Sequence, residues 1–181
     1  MAYIYTTGGD GGETSLPDGA RTRKDDPRVE LLGALDEVNC FIGLARPAVI
    51  DSELDDVLEF IQQGLFNCGG ALGRNPGSNG SIISSDDIRA LERTIDKYSK
   101  RGGGFEGFVL PGCDEASARL HVARAVMRRA ERAAVAADAK TSIDANVIAF
   151  LNRASDLLYV VARYIGAGNE CPWHPDVPAP H

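Results

Sequence analysis

The spacing of apolar residues is the feature that most limits how this chain can fold. A first series has steps of four, three, four and three residues and consists of Leu31, Leu35, Val38, Ile42 and Ala45. Residues at this spacing lie on one face of an α-helix. The series therefore predicts an amphipathic helix that ends before Pro47, because proline cannot continue a helix.

Three later segments show the same spacing. The second series, with Asp51 or Ser52 as its expected N-cap, is Leu54, Leu58, Ile61, Leu65 and Cys68. The third series is Ile88, Leu91, Ile95 and Tyr98. The helix that it predicts begins at Ser84 or Ser85 and ends at the glycines of 102–104. The last series is Val147, Leu151, Ala154, Leu158, Val161 and Ile165.

One further helix, over about residues 116–139, brings the predicted number to five. The sequence thus predicts an all-α fold, a five-helix up-and-down bundle. A length of 181 residues fits a single domain. Within it we expect an N-terminal glycine-rich loop over 1–25, the helical bundle over 26–168 and an irregular C-terminal tail over 169–181. The linker FEGFVLPG, residues 105–112, is expected to form a short extended segment.

Charge and composition limit the classes of partner. The formal net charge is −7, which argues against general nucleic-acid binding through a basic face. No apolar stretch approaches the roughly 20 residues of a membrane span, so no membrane partner is expected. No signal-peptide pattern opens the chain. The cysteines have no CxxC spacing, which indicates free thiols and a cytoplasmic location: Cys40, Cys68, Cys113 and Cys171.

Positive charge is concentrated in the segment 117–132, SARLHVARAVMRRAER. Arg124, Arg128 and Arg132 recur every fourth residue and share one face of a helix. Arginine is preferred over lysine where several N–H donors must hold phosphate or carboxylate oxygens in a fixed geometry. The segment therefore indicates an anion-binding surface. The alternative is a solvated charged face supported by ion pairs within the helix. Glu131 is the one negative residue among these arginines, so ion pairs within the segment cannot explain the run.

Polar residues of other helices are candidates to face this segment. Asp36 and Glu37, in the middle of the first helix, are candidate counter-charges from another helix or another subunit. Asn152, Asp156 and Tyr159 share one face of the last helix and would extend the polar surface. Asn152 either holds a ligand hydroxyl or amide, or satisfies a buried contact between helices.

The glycine-rich segment GGDGGETS, residues 8–15, is a second candidate anion site. Its successive backbone N–H groups would form an anion-binding nest, with nearby hydroxyl groups as further donors. It is not a Walker A loop, because no Gly-Lys-Ser/Thr follows at the required spacing. The alternative is a flexible N-terminal tail. The basic residues that favour a polyphosphate ligand are Arg21, Arg23 and Lys24.

Metal and nucleophile chemistry have little support in the sequence. His121, His174 and His181 form no ExxH, HExxH or His–Cys cluster, so neither a di-iron bundle nor a zinc enzyme is expected. His121 is expected to make a polar contact rather than to bind a metal. No Ser-His-Asp arrangement is indicated.

Five segments taken together resemble one family. They are YTTGGDGGETS, RTRKDDPRVELLGALDEVN, FVLPG, SARLHVARAVMRRAER and FLNRASDLLYVVARY. The chain resembles the propanediol-utilisation type of ATP:cob(I)alamin (corrinoid) adenosyltransferase. The resemblance implies a ferritin-like five-helix bundle that assembles as a homotrimer with active sites between subunits. It also implies a reaction in which the 5′-deoxyadenosyl group of ATP, bound with Mg²⁺, passes to Co(I) of cobalamin and triphosphate leaves.

The resemblance implies roles for individual residues. ATP contacts on one side of the site fall on Thr6, Thr7, Gly8, Gly9, Thr14, Ser15 and Lys24. On the other side they fall on Arg128, Arg129, Glu131, Arg132 and Asn152. Arg124 would pair with Asp36 across the subunit interface. Phe108 would occupy the lower face of the corrin and displace the axial base, so that Co(II) can be reduced. The expected catalytic residues are therefore Arg128, Phe108, Asp36 and Arg124, while Arg119 is expected to face solvent.

The chain departs from the family pattern in places. Relatives usually have a basic residue and then Thr where this chain has Thr7 and Gly8, and many have Lys in place of Gly11. The loop therefore offers fewer side-chain donors to a triphosphate. Cys113 stands where Gly is common after FVLPG. The implied partners are a flavoprotein-type reductase and an adenosylcobalamin-dependent enzyme.

Two other functions remain open from the residues alone. One is a non-catalytic carrier or sensor that binds a nucleotide or a corrinoid. The other is a structural helical assembly whose arginines make only salt bridges between subunits.

Overall fold

The computed structural model describes residue 5 and residues 7–72, 82–102 and 107–175. Within these residues five long helices form a bundle: α1 Pro27–Ala45, α2 Ser52–Ala71, α3 Ser85–Arg101, α4 Glu115–Thr141 and α5 Ala145–Ile165. A 3₁₀ turn, Arg46–Ala48, follows α1. α4 packs against both α1 and α5, while α3 packs against α5 and α2 against α1. The predicted all-α bundle is confirmed. None of the helices described is both long and apolar enough to cross a membrane.

Side-chain caps fix where the helices begin. Four helices follow an aspartate whose carboxylate accepts a backbone hydrogen bond: Asp26, Asp51, Asp114 and Asp144. α3 begins after Ser84, whose hydroxyl accepts from the Asp87 N–H at 3.2 Å while the Asp87 carboxylate accepts from the Ser84 N–H at 2.8 Å. This reciprocal pair is a capping box. Of the expected caps, Asp51 and Ser84 are the residues used.

The apolar faces predicted from the sequence meet in one core. Side chains with no exposed surface come from every helix and include Leu31, Ile42, Leu58, Tyr98, Leu120 and Leu158. α4 contributes mainly small residues to this core, among them Ala123, Ala130, Ala134 and Ala137. Because alanine side chains are short, α1 and α5 approach α4 closely. The polar residues of α4 are thereby held at fixed positions along the edges of the bundle.

Two short antiparallel ribbons lie outside the helices. β1 Glu13–Ser15 pairs with β2 Arg21–Arg23, and β3 Val109–Leu110 pairs with β4 Cys171–Pro172. Within the predicted extended linker 105–112, residues 109–110 form β3, and residues 105–106 lie outside the described residues. Neither pairing was predicted: the N-terminal loop contains a hairpin, and residues 171–172 of the tail are paired rather than irregular. Strands of two or three residues are too short to show an alternating apolar pattern, so the sequence gives no signal for them.

Gly64 marks a close approach of α2 to α5. A Cβ atom at residue 64 would be 2.1 Å from Cζ of Phe150, whose ring is fully buried. The ring cannot move away without disturbing a close-packed core. We therefore expect Gly64→Ala to lower the free energy of unfolding by about 1–3 kcal/mol, measured by urea denaturation.

Gly33→Ala is the matched control for this substitution. Gly33 also lies inside a helix, but a Cβ atom there would have no neighbour within 4 Å. Alanine at this position should leave the free energy of unfolding unchanged or raise it by up to about 1 kcal/mol through its higher helix propensity. Equal destabilisation by the two substitutions would show that the contact with Phe150 is not the cause.

Candidate active site

The N-terminal side of the candidate site is a run of tight turns that leads into the β1–β2 hairpin. The Asp10 N–H donates to the Thr7 carbonyl at 3.1 Å, and the Gly12 N–H donates to the Gly9 carbonyl at 3.2 Å. Thr7 and Gly12 have left-handed backbone, with φ of 57° and 84°. Within the described part of the chain, no hydrogen bond is found from the N–H groups of Gly8, Gly9 and Gly11. These amides are therefore available to an anion.

Two basic side chains lie against these turns. Nη2 of Arg21 donates to the Gly8 carbonyl at 2.8 Å and forms an ion pair with Glu13 at 3.2 Å. Nζ of Lys24 would be 3.3 Å from a Cβ atom on Gly9, so the absence of a side chain at Gly9 lets this ammonium approach the backbone. The structure thus brings Lys24 to the glycine turns, as an anion site requires.

For two other residues expected on this side, Thr14 and Ser15, the structure shows their positions in β1. Thr14 lies in β1 opposite Thr22, and Ser15 is exposed at the end of the same strand. Their backbone is fixed by the hairpin pairing, which continues from the glycine turns. Thr6 lies outside the described residues.

The second side of the candidate site is a line of polar contacts that crosses from α4 over α5 to α3. Nδ2 of Asn152 donates to Oε1 of Glu131 at 3.0 Å. Oδ1 of the same amide accepts from Nη1 of Arg153, and Nε of Arg153 donates to Glu92 at 3.0 Å. Glu131 and Asn152, which were expected together, are in direct contact. Arg153 and Glu92 were not expected and give the amide a fixed orientation.

The arginines of α4 differ in their surroundings. Arg129 forms an ion pair with Glu37 of α1, so Glu37 is one of the counter-charges considered from the sequence. Arg128 and Arg132 are exposed, and Nη1 of Arg132 donates to the Arg128 carbonyl at 3.1 Å. Among the described residues neither of these two has an ion-pair partner. Their guanidinium groups are therefore the ones open to an external anion.

Asp156 adds a second acid to this side of the site. It follows Asn152 by one helical turn on α5. Burial raises the pKa of the Asp156 carboxyl, whereas the positive charges of Arg153 and Arg128 act to lower it. Asp156 is exposed, so this desolvation is partial; an acid whose pKa is shifted beside cations is typical of functional sites. The sequence had indicated only that Asp156 shares a helix face with Asn152.

Asp36 and Arg124 do not form an ion pair within the described residues of this chain. Asp36 is exposed on α1. Arg124 is half-buried on α4, and its Nε–H has no hydrogen-bond acceptor in the described part of the chain. A buried guanidinium N–H left without an acceptor costs free energy. An acceptor from outside the chain would remove that cost, so the pairing across an interface stays a prediction.

Arg119 was expected to face solvent, but its guanidinium makes two contacts within the chain. Its Nη1 donates to the Leu44 carbonyl at 2.7 Å, and its Nη2 forms an ion pair with Glu115. Leu44 is in the last turn of α1, where backbone carbonyls lack intrahelical partners. Arg119 therefore joins the start of α4 to the end of α1.

Phe108 lies directly before β3 and is 76% exposed. Its carbonyl accepts from the Trp173 N–H at 2.8 Å, and the two rings meet edge to face with centroids 6.3 Å apart. A large aromatic ring that is exposed yet held on its backbone side can pack against a flat apolar ligand. The position expected for Phe108 at the lower face of the corrin stays a prediction.

Comparison with known proteins decides the family. Residues 4–165 match the sequence profile of the family described as cobalamin adenosyltransferase. The chain belongs to this family.

Curated members of the family are similar over most of the chain. The chain is 42% identical over 163 residues to the corrinoid adenosyltransferase PduO of Salmonella typhimurium, with 88% of this chain and 48% of that protein covered. It thus spans about half the length of that relative. It is 40% identical over 185 residues to the corrinoid adenosyltransferase of Mycobacterium leprae, with 97% of each covered.

Solved adenosyltransferase structures share the fold. A variant of the PduO-type ATP:corrinoid adenosyltransferase from Lactobacillus reuteri, complexed with cobalamin and ATP, superposes with a TM-score of 0.86. The two are 32% identical, and the match covers 96% of this chain and 97% of that one. A second variant, complexed with ATP, gives a TM-score of 0.84 at 34% identity, with 94% and 100% covered.

His121 is the one buried histidine among the described residues, with 5% of its surface exposed. Its Nδ1 finds no hydrogen-bond partner within the described ranges, and its ring lies edge to face with Tyr159. Burial lowers the pKa of His121, with Arg124 and Arg163 contributing in the same direction. Glu170 and Asp114 act to raise it. The imidazole is therefore neutral in the folded protein near neutral pH.

This lowered pKa predicts a pH dependence of stability. The unfolded chain takes up a proton near the ordinary value of 6.5, whereas folded His121 resists protonation. Stability contributed by the neutral ring is therefore present above that value and lost as pH falls through the folded pKa. Between about pH 7.5 and about pH 5, the free energy of unfolding should fall more for the wild type than for His121→Gln, as measured by urea denaturation at each pH. Parallel pH profiles would contradict this assignment.

Proposed function

We propose that this protein transfers the 5′-deoxyadenosyl group of ATP to Co(I) of a corrinoid, giving adenosylcobalamin and triphosphate. The observation that supports this most is the match of nearly the whole chain to an adenosyltransferase structure that holds cobalamin and ATP together. The glycine turns with Lys24 and the exposed Arg128 and Arg132 supply anion-binding groups for a triphosphate.

The proposed reaction needs little covalent chemistry from the protein. The electron pair of Co(I) forms the Co–C bond to the 5′-carbon of ATP. The bond from that carbon to the triphosphate oxygen breaks, and its electron pair leaves with the triphosphate. Because the corrinoid supplies the nucleophile, no side chain must act as nucleophile or base. The protein holds the two reactants in line and stabilises the charge on the leaving group.

The proposed ATP site is shared between subunits of a homotrimer. One subunit contributes the turn and hairpin residues Thr6, Thr7, Gly8, Gly9, Thr14, Ser15 and Lys24. Its neighbour contributes Arg128, Arg129, Glu131, Arg132 and Asn152. Both the completion of the site by a second subunit and the number three rest on the resemblance of the sequence to the family.

Mg²⁺ fits this site as an ion held mainly by the nucleotide. Across the described ranges, no group of three or more His, Cys, Asp or Glu side chains is arranged to hold a metal. Oε1 of Glu131 accepts from Asn152 at 3.0 Å, while its other carboxylate oxygen has no hydrogen bond or ion pair among the described residues. Mg²⁺ at nucleotide sites commonly takes one or two carboxylates besides phosphate oxygens. We propose that Glu131 is that carboxylate. When bound, Mg²⁺ shares the charge that develops on the triphosphate.

Phe108 is proposed to displace the lower axial base of the corrin. Its exposed ring, fixed from the β3–β4 ribbon, would occupy the space that the base otherwise fills. Removal of the base leaves a four-coordinate Co(II), which is easier to reduce to Co(I). A flavoprotein-type reductase, an adenosylcobalamin-dependent enzyme that takes the product, and a cytoplasmic location belong to the same proposal and rest on the resemblance.

Anaerobic turnover tests the proposed function. ATP mixed with chemically reduced cobalamin should give the spectral change to adenosylcobalamin, together with free triphosphate. Arg128→Ala should lower kcat by about 10²–10³-fold, because it removes donors to the leaving group. Arg93→Ala, at an exposed arginine of α3, is the matched control and should leave kcat unchanged.

The same assay separates the alternatives. Absence of product from the wild type at saturating ATP would refute the proposal. If ATP and corrinoid bind but no triphosphate is released, the chain is a carrier or sensor. If no nucleotide binds at all, the arginines serve only the assembly.

The pairing of Arg124 with Asp36 predicts an effect on assembly. Arg124→Ala should weaken trimer formation by about 2–5 kcal/mol, because it leaves the partner carboxylate unpaired at the interface. Sedimentation over a range of protein concentrations measures this shift. Arg119→Ala is the control, since the described contacts of Arg119 lie within its own chain. An unchanged equilibrium between monomer and trimer for Arg124→Ala would count against the interface role.

A further inference from the structure

Arg163 is a buried charged residue that the proposed reaction does not use. It lies in the last turn of α5 with 4% of its surface exposed, and no other charged side chain of the described residues is buried to this extent. A cation near a helix C-terminus is favourable, but it gains this benefit on the surface as well. Burial of a guanidinium costs several kcal/mol unless its N–H groups are satisfied. The acceptors around Arg163 therefore show what it holds together.

Those acceptors come from three segments of the chain. Nε of Arg163 donates to the carboxylate of Glu170, in the segment that follows α5. Nη1 donates to the Tyr159 hydroxyl at 2.7 Å, within α5, and to the Gly107 carbonyl at 3.4 Å. Gly107 is the residue before Phe108, and Glu170 is the residue before β4. The guanidinium thus joins the bundle to the starts of both strands of the β3–β4 ribbon.

The ribbon needs such an anchor because it is very small. Its register consists of two residue pairs, Val109 with Pro172 and Leu110 with Cys171. Pro172 has no N–H to donate. Isolated two-stranded ribbons are marginally stable even when longer. Besides these pairs, the Trp173 N–H donates to the Phe108 carbonyl at 2.8 Å.

Register in this ribbon determines where Phe108 points. A slip of one residue moves every side chain of a strand to its other face. The ring of Phe108 would then leave its contact with Trp173, and with it the position expected against the corrin. A pair of contacts that fixes Gly107 and Glu170 together to one guanidinium prevents that slip.

We propose that Arg163 and Glu170 are positioning residues for Phe108. Their ion pair docks the segment 168–175 onto the bundle, and that segment in turn holds Phe108 through Trp173. The proposal rests on the proposed function, in which Phe108 contacts the corrin.

Trp173 reports on this docking without any substrate. It is the only tryptophan of the chain, and it is 52% exposed. Glu170→Ala should shift its fluorescence emission to longer wavelength and increase its quenching by acrylamide, because the segment is released. Glu170→Gln keeps a hydrogen-bond acceptor for Arg163 and should give a smaller shift. The control is Asp55→Ala, which removes an acceptor from Arg46 on elements outside the ribbon and should leave the emission unchanged.

Turnover with two forms of cobalamin tests the positioning role. Glu170→Ala should lower the rate started from Co(II) with a reductant about 10- to 100-fold more than the rate started from Co(I). Phe108→Ala should show the same pattern and serves as the reference. The KM for ATP should be unchanged in both variants. With Co(II)cobalamin and ATP, Glu170→Ala should also lose most of the optical signature of the four-coordinate ion.

Two results would overturn the inference. One is an unchanged Trp173 emission in a Glu170→Ala variant whose circular dichroism shows the same helix content as the wild type. The other is an equal loss of rate from Co(I) and Co(II). If Glu170→Ala does not fold, Glu170→Gln and Arg163→Lys replace it. Unchanged Trp173 emission in these variants, or an equal loss of rate from Co(I) and Co(II), would then overturn the inference. Failure of the wild type to turn over Co(I) refutes the proposed function instead, and the fluorescence measurement still decides whether Glu170 docks the segment.

Discussion

The close packing of α4 between α1 and α5 is the constraint on which the rest of the structure depends. Fully buried alanines such as Ala123, Ala130 and Ala134 make this packing close. The same helix carries the charged residues at the edges of those contacts. Arg129 therefore reaches Glu37 on α1, while Glu131 reaches Asn152 on α5. Because a close-packed core resists displacement, the positions of these charges are set before any ligand arrives.

The distribution of charge follows from that arrangement. The chain has a net charge of −7, yet Arg128 and Arg132 lie side by side without ion-pair partners among the described residues. Like charges held close together repel, while the Asp156 carboxylate on α5 attracts Arg128. A polyanion that binds there removes the repulsion and gains charge-assisted hydrogen bonds. These two exposed arginines therefore give a chain of negative net charge a local surface that favours a polyanion.

The sequence predicted the parts of the fold that repeat and missed those that do not. Apolar spacing located the helices, and local rules located caps such as Asp51 and Ser84, because both signals lie within a few residues of chain. The β3–β4 ribbon joins residues about sixty positions apart through two pairs, which leaves no periodic trace. Arg163 was hidden for the same reason: it lies between Val161 and Ile165, outside the positions of the last apolar series, and its partner Glu170 lies in a segment without a pattern. In the site, the glycine turns and the arginine face could be anticipated from residue type, but the Arg153–Glu92 link required the packing of α3 on α5.

An ion pair anchors the β3–β4 ribbon better than an apolar contact would, for a reason of geometry rather than strength. Apolar side chains tolerate small slides along one another, since dispersion has no preferred direction. A guanidinium tolerates only those positions in which its planar N–H groups meet their acceptors. With Glu170, Tyr159 and Gly107 as acceptors, Arg163 defines one place for each strand. Phe108 lies outside the helices, so its position depends on a ribbon that the helices themselves do not specify. The desolvation of Arg163 is the cost of fixing that ribbon in one register.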